Sequence, residues 1–231
     1  MLVHVAFTPD EAAKAPTGVV IDVIRATSTI CQALDAGYAR VWCAAEVEEA
    51  RALRDGDDVT LGGERLGVRI DGFDLGNSPR EYLEPRSSTL AMSTTNGTRA
   101  IVTGAKRCER VYVASLLNLD AVVDVARSHG DDVAIFCAGV KGAFALDDAY
   151  VAGRVAESLG FGRSDAAEAA VRVARSYASA EEAFRASRSG RDLIENGPEL
   201  EEDIARCARE SVLDVVPRFV GMHGVAAELR P

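Results

Sequence analysis

The sequence has few of the residues that zinc sites and disulfide frameworks require. Its three histidines, His4, His129 and His223, are scattered along the chain, which disfavours a His-based zinc site or a Ser-His-Asp triad. The five cysteines are odd in number, and the closest two, Cys31 and Cys43, are twelve positions apart. They form neither a CxxC metal knuckle nor a paired set. We therefore expect buried, reduced thiols in a cytoplasmic protein.

The chain also lacks a basic excess and a long apolar run. It has 36 acidic against 26 basic side chains, for a formal net charge of −10. Nucleic acids and anionic membranes both attract basic surfaces, so we expect neither as a partner. No apolar run approaches the roughly 20 residues of a membrane span. The stretch from Met1 to Thr8 has no basic flank and no small-residue cleavage site, so it is not a signal peptide. The oligomeric state stays open, with a homodimer as one alternative.

What is present is an alternation of short β-branched strands and helices, in a chain that is 48% hydrophobic. The pattern runs twice in the same order, and Val111–Ala114 echoes Val41–Ala44 seventy positions on. This predicts an α/β fold with mostly parallel sheet flanked by helices, built from duplicated β-α-β-α-β units. We predict a first repeat with its connecting loop over residues 1–85 and a second over residues 86–231, or one compact unit formed by both. From Ala145 onward the pattern is mostly helical.

Polar residues collect where the predicted strands end, which is where parallel sheets bind ligands. Hydroxyl clusters follow the strands at Val19–Val23 and Thr89–Ser93, each with an arginine, Arg25 or Arg99. Ser and Thr at a helix start leave backbone N–H groups free for an anion, although simple N-capping explains a single such loop. Two matched loops, each with a guanidinium fork, favour phosphate or sulfonate binding.

Four acids occupy the same predicted edge of the sheet. Asp22 ends an apolar strand, Glu64 follows two glycines, and Asp147 and Asp148 are adjacent near the second repeat's matching end. A carboxylate at the end of a buried strand is costly without a cation or hydrogen bonds. Oxygen ligands with no His or Cys partner suit Mg²⁺ rather than zinc. The acids therefore predict a magnesium site.

These residues resemble a known family. The matching motifs are Asp22 to Thr29, Gly63-Glu64-Arg65, Gly72 to Pro79, Thr94 to Ala100, and Ala138 to Gly153. In this order they are similar to the 2-phosphosulfolactate phosphatases, the ComB family. The resemblance implies Mg²⁺-dependent removal of phosphate from 2-phospho-3-sulfolactate, a step toward coenzyme M. Two positions depart from the family pattern, because Ser28 stands where Thr is expected and Asp147 where Glu is expected.

On this reading, each candidate residue has an expected role. Asp22, Glu64 and Asp147 are expected to hold the metal, directly or through water. The expected catalytic residues are Asp22, Arg25 and Asp148, with Asp148 acting as a base or as a carboxylate that positions other groups. A small anionic phosphorylated substrate is expected to contact Thr27, Ser28, Arg65, Thr94, Thr95, Asn96 and Arg99.

Two other classes of function remain alternatives. Haloacid-dehalogenase-like phosphatases also place an Asp after the first strand, but they need a second Asp two residues later, where this chain has Ile24. Loss of that proton donor costs on the order of 10²–10⁴-fold in rate. A non-enzymatic anion-binding protein would explain the hydroxyl loops but not four carboxylates around one crevice.

Overall fold

The computed structural model describes residues 1–54, 58–65, 67–94 and 96–231. Thr95, a predicted substrate ligand, lies outside the described residues. The strands are β1 (Leu2–Ala6), β2 (Thr17–Ile21), β3 (Arg40–Ala44), β4 (Val59–Arg65), β5 (Val68–Arg69), β6 (Thr89–Ser93), β7 (Arg110–Ala114), β8 (Val133–Cys137), β9 (Gly162–Arg163), β10 (Arg218–His223) and β11 (Ala226–Arg230). The helices are α1 (Ala26–Asp35), α2 (Val47–Ala52), α3 (Gly97–Arg107), α4 (Leu119–Ser128), α5 (Leu146–Leu159), α6 (Asp165–Arg175), α7 (Ala180–Ala186), α8 (Arg188–Glu195) and α9 (Pro198–Cys207).

The strands pair into one mostly parallel sheet with helices on both faces, which confirms the predicted fold class. Side chains of β2 alternate between the faces: Val19 and Ile21 pack into one core, and Val20 packs into the other. Every residue of β2, β6 and β8 is buried. Central parallel strands covered on both faces read as continuous apolar runs, as these do.

The sheet order interleaves the two predicted repeats. It runs β5-β4-β6-β3-β11-β10-β7-β2-β8-β1-β9. The first strand of the first repeat, β2, lies between β7 and β8 of the second, while β6 of the second repeat lies between β3 and β4 of the first. A cut at residue 85 would therefore separate strands that are hydrogen-bonded neighbours.

The C-terminal segment corrects the expectation of a mostly helical end. Strands β10 and β11 form an antiparallel hairpin that joins β3 to β7. Strand β10 is mostly exposed, contains Gly221 and changes register between Phe219 and Gly221. It therefore lacks the alternating apolar pattern by which a strand is recognised in a sequence.

Strand β2 ends earlier than predicted, and this creates the loop that carries Asp22. In the last hydrogen bond of the ladder, the backbone N–H of Ala138 donates to the carbonyl of Ile21. The next two N–H groups turn to side chains, with Asp22 N donating to Thr27 Oγ1 and Val23 N donating to Asp148 Oδ1. Asp22 and Val23 thus belong to the β2–α1 turn rather than to the strand.

No helix in the part of the chain that the structure describes combines the length and apolar character of a membrane span. The five cysteines are free thiols, four of them buried.

Candidate active site

A cavity of about 320 Å³ opens where the carboxyl ends of four strands converge. Asp22 follows β2, Glu64 lies near the end of β4, Thr94 follows β6 and Gly139 follows β8. Helix α3 approaches this point closely because it begins with a glycine. A Cβ at Gly97 would lie 3.0 Å from Asp22 Oδ2. The strand-end rule for ligand sites thus describes where this cavity forms.

The cavity collects four buried carboxyl groups: Asp22, Glu64, Asp147 and Asp148 are 8%, 7%, 1% and 3% exposed. Burial, together with the negative charges of Glu64 and Asp147, raises the pKa of Asp22 from 3.8 to about 7. Burial also raises the pKa of Asp147 to about 6. Such buried acids resist ionisation until a cation or hydrogen-bond donors compensate them.

The two adjacent acids of α5 have different contacts. Both oxygens of Asp148 accept backbone N–H groups, from Val23 at 2.9 Å and from Gly139 at 3.0 Å. Asp148 therefore ties the end of β2 to the end of β8. Asp147 receives a hydrogen bond from Ser189, but its Oδ1 is buried without a hydrogen-bond partner. The free oxygen of the pair thus belongs to Asp147.

Arg25 is the predicted cation that reaches the cavity. Its side chain is 4% exposed and lines the cavity together with the acids. Nη1 donates to Asp203 Oδ2 at 2.8 Å, and Nη2 donates to the carbonyl of Gly67 at 3.0 Å. The remaining N–H groups of the guanidinium are available to an anion in the cavity.

The structure places two other predicted arginines elsewhere. Arg99 is exposed on the first turn of α3 and forms an ion pair with Asp10. Arg65 links neighbouring segments of the sheet, since its Nη2 donates to Ala45 O and to Ser93 Oγ, both at 2.9 Å. Neither is among the residues that line the described cavity.

The predicted hydroxyl and amide ligands divide in the same way. Thr94 and Asn96 line the cavity. Thr27 and Ser28 are fully buried, and their hydroxyls bond within the β2–α1 turn, Thr27 to Asp22 N and Ser28 to Val23 O. In this arrangement, Thr27 and Ser28 shape the loop that presents Asp22 instead of facing a ligand.

Sequence reasoning missed several residues that line the cavity. Asn77 lies in the motif from Gly72 to Pro79, and its Oδ1 is buried without a partner. Lys141 follows β8 and donates its backbone N–H to Asn96 Oδ1 at 3.4 Å. Arg188 and Ser189 come from the start of α8. The contribution of α8 has no local signal, because only the packing of distant helices brings it to the sheet edge.

The carboxylate oxygens of the cavity match the donors of a magnesium site rather than a zinc site. Among the described residues, no group of three or more His, Cys, Asp or Glu side chains is arranged closely enough to hold a metal ion by itself. Mg²⁺ usually keeps several waters and takes one or two carboxylates. Buried carboxyl oxygens without nitrogen or sulfur donors, and the unpartnered Asp147 Oδ1, fit that mode of binding.

Comparison with known proteins adds an independent finding. The sequence profile of a family described as 2-phosphosulpholactate phosphatase matches residues 4–221. A probable 2-phosphosulfolactate phosphatase of Thermus thermophilus is 40% identical over 98% of this chain and 98% of its own length. Proteins described in the same words from Thermotoga petrophila and Clostridium acetobutylicum are 38% and 36% identical, over 95% and 91% of this chain and 96% and 92% of theirs. The resemblance read from the motifs is thus confirmed, and the chain belongs to the 2-phosphosulpholactate phosphatase family, a family of phosphoric monoester hydrolases.

Proposed function

We propose that this protein is an Mg²⁺-dependent phosphatase that hydrolyses 2-phosphosulfolactate, or a related phosphorylated 2-hydroxy acid, to the hydroxy acid and phosphate, as in coenzyme M biosynthesis. The observation that carries the proposal is the union of four buried acids and the Arg25 guanidinium in one cavity. Family membership supports the same reaction. A cytoplasmic location agrees with five free thiols.

The electrostatics of the cavity explain why a divalent cation belongs to the proposal. The substrate carries phosphate, carboxylate and sulfonate, all of them negative. Asp22, Glu64 and Asp147 would repel it from a cavity that they dominate. When bound between these carboxylates, Mg²⁺ would reverse the local field and would supply positive charge to the phosphoryl oxygens. We assign Asp22 and Asp147 to the metal, with Glu64 as a further ligand directly or through water.

The protein groups then divide the remaining tasks. Arg25 contacts the phosphoryl group, because a guanidinium fork matches two phosphate oxygens. Thr94, Asn77 and Asn96 add hydrogen bonds from the cavity wall. Asp148 positions the β2 and β8 ends, since both of its oxygens are occupied by backbone donors.

Asp22 has two candidate roles in the attack on phosphorus. In the first, its carboxylate attacks phosphorus and the P–O bond to the substrate breaks, so that the 2-hydroxy acid leaves after its alkoxide takes a proton from solvent; water then hydrolyses the acyl phosphate to phosphate and the free carboxylate. In the second, Asp22 orients a water that attacks phosphorus, and the same P–O bond breaks to release the 2-hydroxy acid and phosphate. Acid quenching during turnover separates them: a phosphoenzyme that is lost in Asp22→Asn supports direct attack, and its absence at high enzyme occupancy supports the water.

The rims of the cavity supply cations for the rest of the substrate. Lys141 and Arg188 are exposed at its mouth, where they can meet the carboxylate and the sulfonate. Charge-assisted hydrogen bonds of this kind contribute about 1.5–3 kcal/mol each. We propose that these two residues bind the anionic groups that do not react.

The deciding experiment is phosphate release from 2-phosphosulfolactate after exhaustive chelation, followed by titration with Mg²⁺, Mn²⁺ or Zn²⁺. We expect activity to disappear with EDTA and to return with Mg²⁺ or Mn²⁺. Full activity in chelated enzyme would eliminate the metal, and equal activity with zinc alone would contradict the ligand assignment. Substrate binding without phosphate release would instead favour an anion-binding protein.

Calorimetry tests the metal site without turnover. Because the pKa values of Asp22 and Asp147 are raised to about 7 and 6, Mg²⁺ must displace protons near neutral pH. Titrations in buffers of different ionisation enthalpy should therefore report proton release, and Asp147→Asn should weaken binding. The matched control is Asp124→Asn, which removes a 73% exposed carboxylate from α4.

A further inference from the structure

A buried carboxylate outside the cavity holds the cavity's arginine. Asp203 lies on α9, and its side chain is fully buried. Its Oδ2 accepts from Arg25 Nη1 at 2.8 Å, and its Oδ1 accepts from Ser78 Oγ at 2.6 Å and from Arg80 Nε at 2.9 Å. Three segments that are distant in sequence therefore meet at one carboxylate.

The two arginines on Asp203 differ in what else they reach. Arg80 is 35% exposed, also pairs with Glu202, and is not among the residues that line the described cavity. Arg25 is 4% exposed and lines the cavity. Asp203 thus has one partner, Arg25, that lines the cavity and another, Arg80, that lies closer to the protein surface.

Arg25 shares the cavity with carboxyl groups that could pair with its guanidinium. Four buried carboxyl groups lie in the same cavity, and an unrestrained guanidinium would pair with them, because opposite charges attract strongly in a buried site. Such a pair would occupy the acids that the proposed metal needs and withdraw Arg25 from the substrate. A stronger fixed partner prevents this, and Asp203 together with the carbonyl of Gly67 supplies it.

We propose that Asp203 is a positioning residue that holds Arg25 in the orientation for phosphate binding and away from the carboxylates of the cavity. The inference rests on the proposed function, since it names a further residue of the same site. It also assigns a task to α9, which packs against the Pro79–Tyr82 turn and contributes no side chain to the described cavity lining.

The first test compares Asp203→Asn with Arg80→Gln. Asparagine keeps the shape but replaces one acceptor oxygen with an amide that faces a guanidinium. We expect kcat/KM for 2-phosphosulfolactate to fall on the order of 10²-fold, as for other small misplacements of a reacting contact. Arg80→Gln removes the other ion pair of Asp203 and should keep kcat/KM within about three-fold of the parent. If Asp203 only fastens the fold, the two variants should lose thermal stability and activity in parallel.

A double-mutant cycle with Arg25→Lys separates positioning from a general structural effect. If Asp203 acts through Arg25, Asp203→Asn should cost little more once Arg25 is a lysine, because residues in one network do not have additive effects. Losses that multiply in the double mutant would overturn the proposal. Asp203→Glu covers the case in which Asp203→Asn does not fold. It keeps the charge, moves the carboxylate by one methylene, and should lower kcat/KM about ten-fold in the parent but not beside Arg25→Lys.

Binding of inorganic phosphate in the presence of Mg²⁺ gives a readout that does not need turnover. Calorimetry should show weaker phosphate binding in Asp203→Asn and Asp203→Glu than in Arg80→Gln. An active parent with equal phosphate affinity and kinetics in all three variants would overturn the role of Asp203 alone. A parent that binds phosphate but hydrolyses no phosphoester would overturn the proposed function, while the comparison of phosphate affinities would still test Asp203. A parent that neither binds phosphate nor hydrolyses a phosphoester would overturn both.

Discussion

Replacing Asp22 with asparagine should stabilise the metal-free protein while removing its activity. The pKa of Asp22 is raised from 3.8 to about 7 by burial and by the charges of Glu64 and Asp147. At about 1.4 kcal/mol per pKa unit, ionised Asp22 costs the folded state about 4 kcal/mol relative to the unfolded chain. Asparagine has the same shape, cannot ionise, and keeps an oxygen for the backbone N–H of Ala26 that bonds the carboxylate.

The gain should depend on pH in a defined direction. Since the folded-state pKa lies above the unfolded value, the contribution of Asp22 to stability is fully present below pH 3.8 and is lost as the pH rises through about 7. The advantage of Asp22→Asn should therefore be about 4 kcal/mol near pH 8 and about 2 kcal/mol near pH 5. For a chain of this size, the larger value corresponds to a melting temperature roughly 10 °C higher.

The assay is a pair of thermal melts in EDTA, near pH 8 and near pH 5, beside phosphate-release rates in Mg²⁺. Asp124→Asn is the control, because it removes an equal charge from an exposed position and should shift neither measurement. We expect the Asp22 variant to retain less than about a tenth of parental activity, a barrier change of more than roughly 1.4 kcal/mol. A variant that melts below the parent at both pH values and retains more than about a tenth of parental activity would refute the reasoning. The role of Asp22 would then be to stabilise the β2–α1 turn rather than to take part in catalysis.

Three other substitutions test the cation contacts of the cavity and the helices behind it. Arg25→Lys should lower kcat/KM on the order of 10²-fold because lysine lacks the planar fork. Arg185→Lys, at a side chain of α7 that is 40% exposed, should change kcat/KM less than two-fold; equal kinetics of the two variants would argue against a phosphate contact at Arg25. Arg188→Gln should lower kcat/KM about ten-fold more for 2-phosphosulfolactate than for 2-phospholactate, because only the first substrate loses a charge-assisted contact between Arg188 and its sulfonate. An equal loss of kcat/KM for the two substrates would mean that the sulfonate does not contact Arg188. Gly153→Ala should cost at least about 2 kcal/mol of stability in denaturant melts, since its Cβ would lie 2.1 Å from the carbonyl oxygen of Ala170. A melt unchanged from the parent would show that α5 and α6 can separate without cost.

Local signals in the sequence predicted much of the sheet and the acidic part of the site. Strand β6 has the predicted bounds Thr89–Ser93, and β3 extends the predicted strand by one residue, to Arg40–Ala44. Asp22, Glu64 and the Asp147-Asp148 pair share one cavity. They could be grouped from sequence because a short apolar run followed by a polar turn marks a strand end within a few residues, and parallel strands bring those ends to a common edge.

The same reasoning failed where a residue's role depends on a distant partner. Arg99 resembles Arg25 in its hydroxyl-rich loop, but it turns outward to Asp10. Arg25 turns inward because Asp203, 178 positions away, receives its guanidinium. Nothing within either loop distinguishes these outcomes.

The sequence by itself determined most of the element types before the C-terminal hairpin, the approximate strand ends and the donor chemistry, because each depends on propensity and pattern within short windows. The tertiary structure alone decided the exchange of β2 and β6 between the repeats, the hairpin that joins β3 to β7, and the arrival of Arg188 from α8. These depend on which apolar faces pack together and which buried charges find partners, and such choices are made between segments far apart in the chain. The acids of the site could thus be found from the sequence, whereas the orientation of its arginine follows only from the packing of α9.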